Sequence, residues 1–145
     1  MRRDPAQTLV DLSKSREEDA LKRFSALLRQ CGSAEEKLGL LERYRREYAD
    51  RLAGQGRTGI TTLTLENFKQ FMTNLEGAVQ QQQNQAERSR QALDDGLATL
   101  EQARRRSKIF EMLVEKRRSA TKTKEARRLQ AQEDEFAARA HARNK

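Results

Sequence analysis

Gly54-Gln55-Gly56-Arg57-Thr58-Gly59-Ile60-Thr61-Thr62 interrupts a chain that otherwise reads as unbroken helix, and it holds three of the seven glycines. Glycine is the weakest helix former after proline, so the cluster reads as a reversal joining two long helices. Chain reversal at this point sets residues whose numbers sum to about 118 opposite one another. The C-terminal arm then outruns its partner by roughly thirty residues. The expected architecture is all-α: a long antiparallel two-helix coiled-coil hairpin with an overhanging basic C-terminal helix. Its parts are a first helix over 4–53, a tip loop over 54–63 and a second helix over 64–140, with 115–145 expected to be mobile.

Composition agrees with that layout. Only 35% of the 145 residues are hydrophobic, 36% are charged, Trp is absent and there is a single Pro. Such a chain suits long helices burying a narrow seam better than a compact core. At about 25 cal/mol per Å² of apolar surface a thin seam contributes little per residue, so partners are expected to help hold it.

From Ala20 a seven-residue repeat is legible in the first arm. Phe24, Cys31, Leu38, Arg45 and Leu52 form one column, and Ala20, Leu27, Ala34, Leu41 and Tyr48 the other, with Arg45 the one charged member. Leu9 and Leu12 continue the stripe out of phase, which predicts looser packing there. Asp4-Pro5-Ala6-Gln7 reads as a helix start, with Asp4 as cap, Pro5 at the first helical position and Gln7 placed to reach back. Thr64 is the expected cap of the second arm, with Glu66 in its first turn. The second seam reads Leu65, Phe68, Met72, Leu75, Val79, Gln82, Ala86, Ser89, Leu93, Gly96, Leu100, Ala103, Ser107, Phe110 and Val114. It stops about where position 4 would lie opposite, so the hydrophobic repeat ends where the partner helix runs out.

The formal net charge of +8 is unevenly placed. Residues 1–53 carry twelve Lys or Arg against ten acids, 54–103 four against six, and 104–145 fourteen against six. Attraction to nucleic acid, acidic membranes or an acidic protein is therefore expected at the C-terminal arm. One cysteine excludes an intrachain disulfide and is compatible with a reducing compartment. No stretch approaches eighteen apolar residues and no signal-like run follows the N-terminus, so a soluble cytoplasmic protein is the expectation.

Catalytic chemistry finds little purchase. Gly54, Gly56 and Gly59 match G-x-G-x-x-G, but a charged helix precedes them where a dinucleotide site needs a strand. No phosphate-binding G-x-x-x-x-G-K-[ST] is present. His141 lies four residues from the C-terminus, Cys31 falls on the seam, and the consecutive Glu133, Asp134 and Glu135 point to different sides of a helix. The expectation is a non-enzyme with no cofactor, metal or small-molecule ligand. Gln80-Gln81-Gln82-Gln83-Asn84-Gln85 reads as a solvated helix face.

Two surfaces are candidates for binding. Residues 104–128 hold eleven cations against three acids, with Phe110 as the one aromatic among them, which supports electrostatic docking more than base recognition. A coiled-coil nucleic-acid binder is the alternative, and steep, sequence-independent salt dependence on duplex DNA would mark it. The second surface lies beside the bend. Leu41, Tyr44 and Tyr48 share a face of the first helix, Phe71, Leu75 and Ala78 share one of the second, and hairpin register brings the groups together. Tyr44 and Phe71 fall off the core columns, and exposed aromatics beside a seam are candidate hot spots for a protein partner.

Cys31-x-x-Ala34-Glu35-Glu36-x-Leu38-x-x-Leu41-x-x-Tyr44-x-x-Glu47-Tyr48, then Gly59-Ile60, then Phe71-x-x-x-Leu75-Glu76-x-Ala78, and finally Asp134-Glu135-Phe136-Ala137-x-Arg139-Ala140 resemble the flagellar FliJ family over essentially the whole chain. The resemblance implies a helical-hairpin component of the bacterial flagellar type III protein export apparatus, like the central stalk of rotary ATPases. It implies insertion into, and promotion of, the export ATPase ring, and contact with the export-gate membrane protein and with unladen export chaperones. It also implies a cytoplasmic location, peripheral at the inner membrane at the flagellar base, and no nucleic-acid partner. Carried over by position, the gate-binding patch is Leu41, Tyr44, Tyr48, Phe71, Leu75 and Ala78. The chain departs from the family pattern at Lys37 and Gln82. The basic end, including Arg104, Arg105, Arg106, Arg117 and Arg118, is the expected ATPase-binding surface, on a rod of roughly 75 Å for fifty paired residues.

Overall fold

The structure is a computed structural model that describes residues 4–144, the side chain of Arg57 excepted. Two helices account for nearly all of it: α1 (Pro5–Thr58) and α2 (Thr62–Arg143). They pack against each other as an antiparallel hairpin with no strand among the described residues.

The reversal is tighter than the glycines suggest. Instead of a loop over 54–63, the helices are joined by residues 59–61 alone, and Gly54 and Gly56 lie inside α1. Only Gly59 takes a positive φ, +81°, the left-handed residue that closes a helix C-terminus without a Cβ penalty. Glycine permits a break without forcing one, and both upstream glycines stand in open space within the helix. Ile60 tucks in partly, and Thr61 starts the return.

Thr61, not Thr64, caps α2. Its Oγ1 accepts the Thr64 N–H at 3.2 Å, and its carbonyl accepts the Leu65 N–H at 3.0 Å. Thr64 sits three residues in, its hydroxyl 2.8 Å from that of Thr61, and Glu66 lies beyond the first turn, which contains no acid. We expect Thr61→Ala to destabilise by about 1 kcal/mol and Thr64→Ala by less. Urea unfolding followed at 222 nm distinguishes them, and equal losses would refute this assignment. At the other start Asp4 Oδ1 accepts the Ala6 N–H at 3.1 Å, as a cap should. Gln7 does not reach back. Its amide donates to Asp11 Oδ1 at 3.1 Å and its oxygen accepts from Arg118 at 3.2 Å.

The chain divides into two compact units. One combines the residues up to Glu18 with those from Gln102 onward, and the other is Asp19–Glu101. In the second unit all ten columnar residues of α1 from Ala20 to Leu52 are buried or partly buried, as are the α2 seam residues from Leu65 to Leu100. Leu100 and Val79, each 2% exposed, are its largest fully buried side chains. Gln82, the polar member, donates to the Ala34 carbonyl at 3.0 Å, so its seam position is satisfied across the helices. Gly96 is buried, and a Cβ there would meet Leu27 Cδ1 at 2.5 Å, so it marks a point of close approach that only glycine fits without a shift.

In the first unit the repeat stays in phase, contrary to the reading of Leu9 and Leu12. Val10 and Ser13 are buried, at 4% and 6%, while Leu9 and Leu12 are 46% and 47% exposed. A serine fits the seam because its hydroxyl donates to the Val10 carbonyl at 2.8 Å, leaving nothing unsatisfied. Opposite stand Ala103, Ser107, Phe110 and Val114, all at least partly buried. Val114 is the last of them, and every side chain from Glu115 to Asn144 is exposed. Asp4, the first residue of the partner arm, pairs with Arg117 at 3.7 Å, so the seam does end where the partner helix runs out. Beyond it α2 continues as helix to Arg143, whose positive charge in the last turn favours the dipole.

Candidate protein-docking surface

Beside the reversal the aromatic residues form one cluster. Tyr48 and Phe71 stack at 4.7 Å between ring centroids with planes tilted by 57°, and Phe68 meets Tyr48 edge-on at 6.3 Å. The Arg51 guanidinium lies 5.1 Å from the Tyr48 ring centre, a cation–π contact. Tyr48, Phe68 and Phe71, with Thr64 and Asn67, line a small cleft of about 240 Å³.

The six patch residues divide by burial. Leu75 is buried, Leu41, Tyr48 and Ala78 are partly buried, and Tyr44 and Phe71 are 42% and 43% exposed. Leu41, Tyr48 and Leu75 therefore shape the patch from within the seam, Ala78 borders it beside Val79, and the two exposed aromatics off the columns present it. Tyr44 directly precedes the seam residue Arg45, and Phe71 precedes Met72. Both thus fall on the flank away from the Glu35–Arg90 ion pair, whose members follow Ala34 and Ser89 and approach to 3.4 Å. Leu41 and Ala78 continue onto a polar concavity with Gln81, Gln82 and Arg88. Lys37 is exposed, whereas the Gln82 amide nitrogen is held by Ala34.

At the basic end the five arginines are not equivalent. Arg104 pairs with Glu17 at 3.7 Å, Arg117 with Asp4 at 3.7 Å, and Arg118 donates to Gln7 at 3.2 Å. These are exposed contacts worth at most about 1 kcal/mol each. Among the described residues Arg105 and Arg106 have no hydrogen-bond or ion-pair partner and remain exposed. Lys14 and Glu111 add a cross-helix pair at 3.3 Å.

The remaining chemistry-bearing residues are occupied or scattered. Cys31 is 5% exposed, and its thiol is pushed up from its ordinary value by burial, then by the Glu35 carboxylate, with Arg90 opposing. That makes it a poor nucleophile at neutral pH. His141 is exposed near the end of α2, Asp134 accepts from Gln130 at 3.1 Å, and Glu135 pairs with Arg139 at 2.8 Å. Among the described residues no cluster of His, Cys, Asp and Glu could hold a metal, and no helix is long and apolar enough to cross a membrane.

Comparison with known proteins identifies relatives along nearly the whole chain. The family described as "Flagellar FliJ protein" matches residues 2–145. The flagellar FliJ protein of Escherichia coli (strain K12) is 34% identical over 136 residues, spanning 94% of this chain and 92% of that protein. That of Salmonella typhi is 31% identical over 137 residues, spanning 94% and 93%. With the family match over residues 2–145 and two relatives 34% and 31% identical over more than nine-tenths of both chains, the chain belongs to the flagellar FliJ family.

Proposed function

We propose that the protein is a non-enzymatic, stalk-like component of the bacterial flagellar type III export apparatus. In this reading its basic end binds the export ATPase and promotes assembly and activity of the ring. The aromatic surface beside the reversal contacts the cytoplasmic region of the export-gate membrane protein, and export chaperones dock on the same hairpin. Its place is the cytoplasmic side of the inner membrane at the flagellar base. The observation that carries the reading is the coexistence, in a member of the flagellar FliJ family, of two exposed surfaces of different chemistry. One is aromatic and the other is cationic. Long-range attraction to an acidic ring fits the unpaired guanidinium groups of Arg105 and Arg106, and anchoring fits Tyr44 and Phe71.

Charge reversal tests the cationic half. Arg105→Glu with Arg106→Glu should weaken ATPase stimulation roughly tenfold at low salt, and less as salt screens the attraction. Reversal of Arg104, Arg117 and Arg118 should add to the loss while also breaking their contacts with Glu17, Asp4 and Gln7. Helicity monitored in parallel separates the two effects. Stimulation that survives all five reversals would remove the electrostatic contact from the mechanism.

A further inference from the structure

Among the described residues, the flank of the first unit without cross-helix ion pairs carries an apolar patch, bordered by Arg16 and Arg106. Gln7 and Lys14, which follow the seam residues Ala6 and Ser13, bond to Arg118 and Glu111, so that side of the seam is polar and occupied. On the opposite side Leu9 precedes Val10 and Leu113 precedes Val114, while Leu12 and Ile109 lie one turn round from them on the same faces. These four residues and Met112 are 46–63% exposed. Five large side chains open to that degree leave on the order of several hundred Å² of apolar surface, the scale at which a patch marks an interaction site.

The patch continues into charge. Ile109, Leu113, Lys116, Ala120, Thr123 and Arg127 recur at alternating spacings of four and three along α2, and they share one continuous concave surface with Lys124. The acid bordering that surface is Glu115, against Lys116, Lys124 and Arg127.

We propose that this face is the docking groove for an acidic amphipathic helix of a protein partner. Its apolar anchors would seat between Leu9 and Leu12 on α1 and Ile109 and Leu113 on α2, and its carboxylates would run along Lys116, Lys124 and Arg127. Charge complementarity selects this occupant. A second copy would bring two cationic flanks together on a patch smaller than the roughly 800 Å² per partner of a stable dimer. A membrane-lying helix keeps its apolar face over several turns. On this concave surface the large apolar side chains are confined to Ile109, Met112 and Leu113, and Lys116, Lys124 and Arg127 follow. The concave surface is formed by α2, and Leu9 and Leu12, exposed on the same flank of α1, would extend its apolar end to hold a partner helix. Arg104, Arg117 and Arg118, which are engaged with α1, lie outside this face, whereas Arg106 stands on the same flank one heptad before Leu113. The groove is therefore tested with a peptide in the absence of ATPase and by substitutions that leave Arg105 and Arg106 in place.

The test is fluorescence anisotropy of the full chain with a stapled eighteen-residue helix bearing leucines at i, i+3 and i+7 and glutamates elsewhere. The same peptide with lysines for glutamates is the comparator. The acidic peptide should bind at least tenfold more tightly than the basic one. It should lose at least tenfold on Ile109→Ser with Leu113→Ser, and several-fold on Lys116→Gln with Lys124→Gln. Since both apolar residues are exposed, helicity should be unchanged, and Leu9→Ser with Leu12→Ser gives the same readout from α1 if it is not. Equal binding to the serine variants, or equal binding of the two peptides, overturns the proposal. So does a dimer in sedimentation, or flotation with phosphatidylglycerol vesicles, that the serine substitutions abolish while peptide binding persists.

Discussion

Leu100→Ala is expected to lower the unfolding free energy by about 2–3 kcal/mol, the largest stability loss of any single truncation in the hairpin. A buried Leu→Ala change ranges over about 2–5 kcal/mol because the lost transfer energy is joined by an unfilled cavity. Leu100 belongs to that class at 2% exposure. A seam between two helices is bordered by solvent, so side chains can sag inward and water can enter, which favours the low end of the range. The loss is nevertheless disproportionate here. Apart from Leu100, Leu75 and Val79, the buried hydrophobic side chains of this unit are Cys31, Ala34 and Ala86, none of which could be truncated for a comparable effect. Urea unfolding followed at 222 nm measures it, with Leu97→Ala, 40% exposed, as the control expected to lose far less. Similar losses at the two positions would mean that Leu100 does not lie in the packed layer.

The same seam explains how much of the fold was legible in the residues. All fifteen α2 positions chosen by alternating spacings of three and four, from Leu65 to Val114, are buried or partly buried, including Gln82, Ser89 and Ser107. Periodicity survives polar substitutions because the helix, once formed, carries every residue of the column inward. Reading from hydrophobicity alone fails in the same place for the same reason. Leu9 and Leu12 attracted the stripe although Val10 and Ser13 keep the phase, and the larger side chains are the ones left outside. The glycine cluster of 54–59 marks where a helix is able to stop, while only the φ of Gly59 shows where it does, so the reversal occupies 59–61. At the candidate site, the departure of Tyr44 and Phe71 from the columns was readable as exposure. Their separation from Leu75, a core residue, required the packing. The pairing of Arg104, Arg117 and Arg118 with α1 depends on register to within a residue, which spacing arguments do not resolve.

Tyr44→Ala and Phe71→Ala should each weaken binding of the export-gate cytoplasmic region by about 2 kcal/mol, roughly thirtyfold, if the aromatic surface is the gate contact. Anchors of this size are expected of large aromatics that lie exposed in the free protein and are covered in the complex, and these two are 42% and 43% exposed. Their consequences for stability should differ. Phe71 stacks on Tyr48 at 4.7 Å, so its removal also forfeits an intrachain aromatic contact worth about 0.5–1.5 kcal/mol. Tyr44 has no such ring partner among the described residues, and its truncation should leave the melting curve nearly unchanged. That makes Tyr44 the cleaner probe, and Tyr44→Phe should retain most of the affinity if the ring, rather than the hydroxyl, is what the partner covers. The double variant should lose less than the sum of the two, because both residues flank Arg45 and Met72 in one small patch. Calorimetric titration of the purified gate fragment against each variant, with thermal unfolding alongside, separates anchoring from folding. Undiminished affinity in the double variant would move the gate contact off this surface, and affinity lost only in step with helicity would return both rings to the seam.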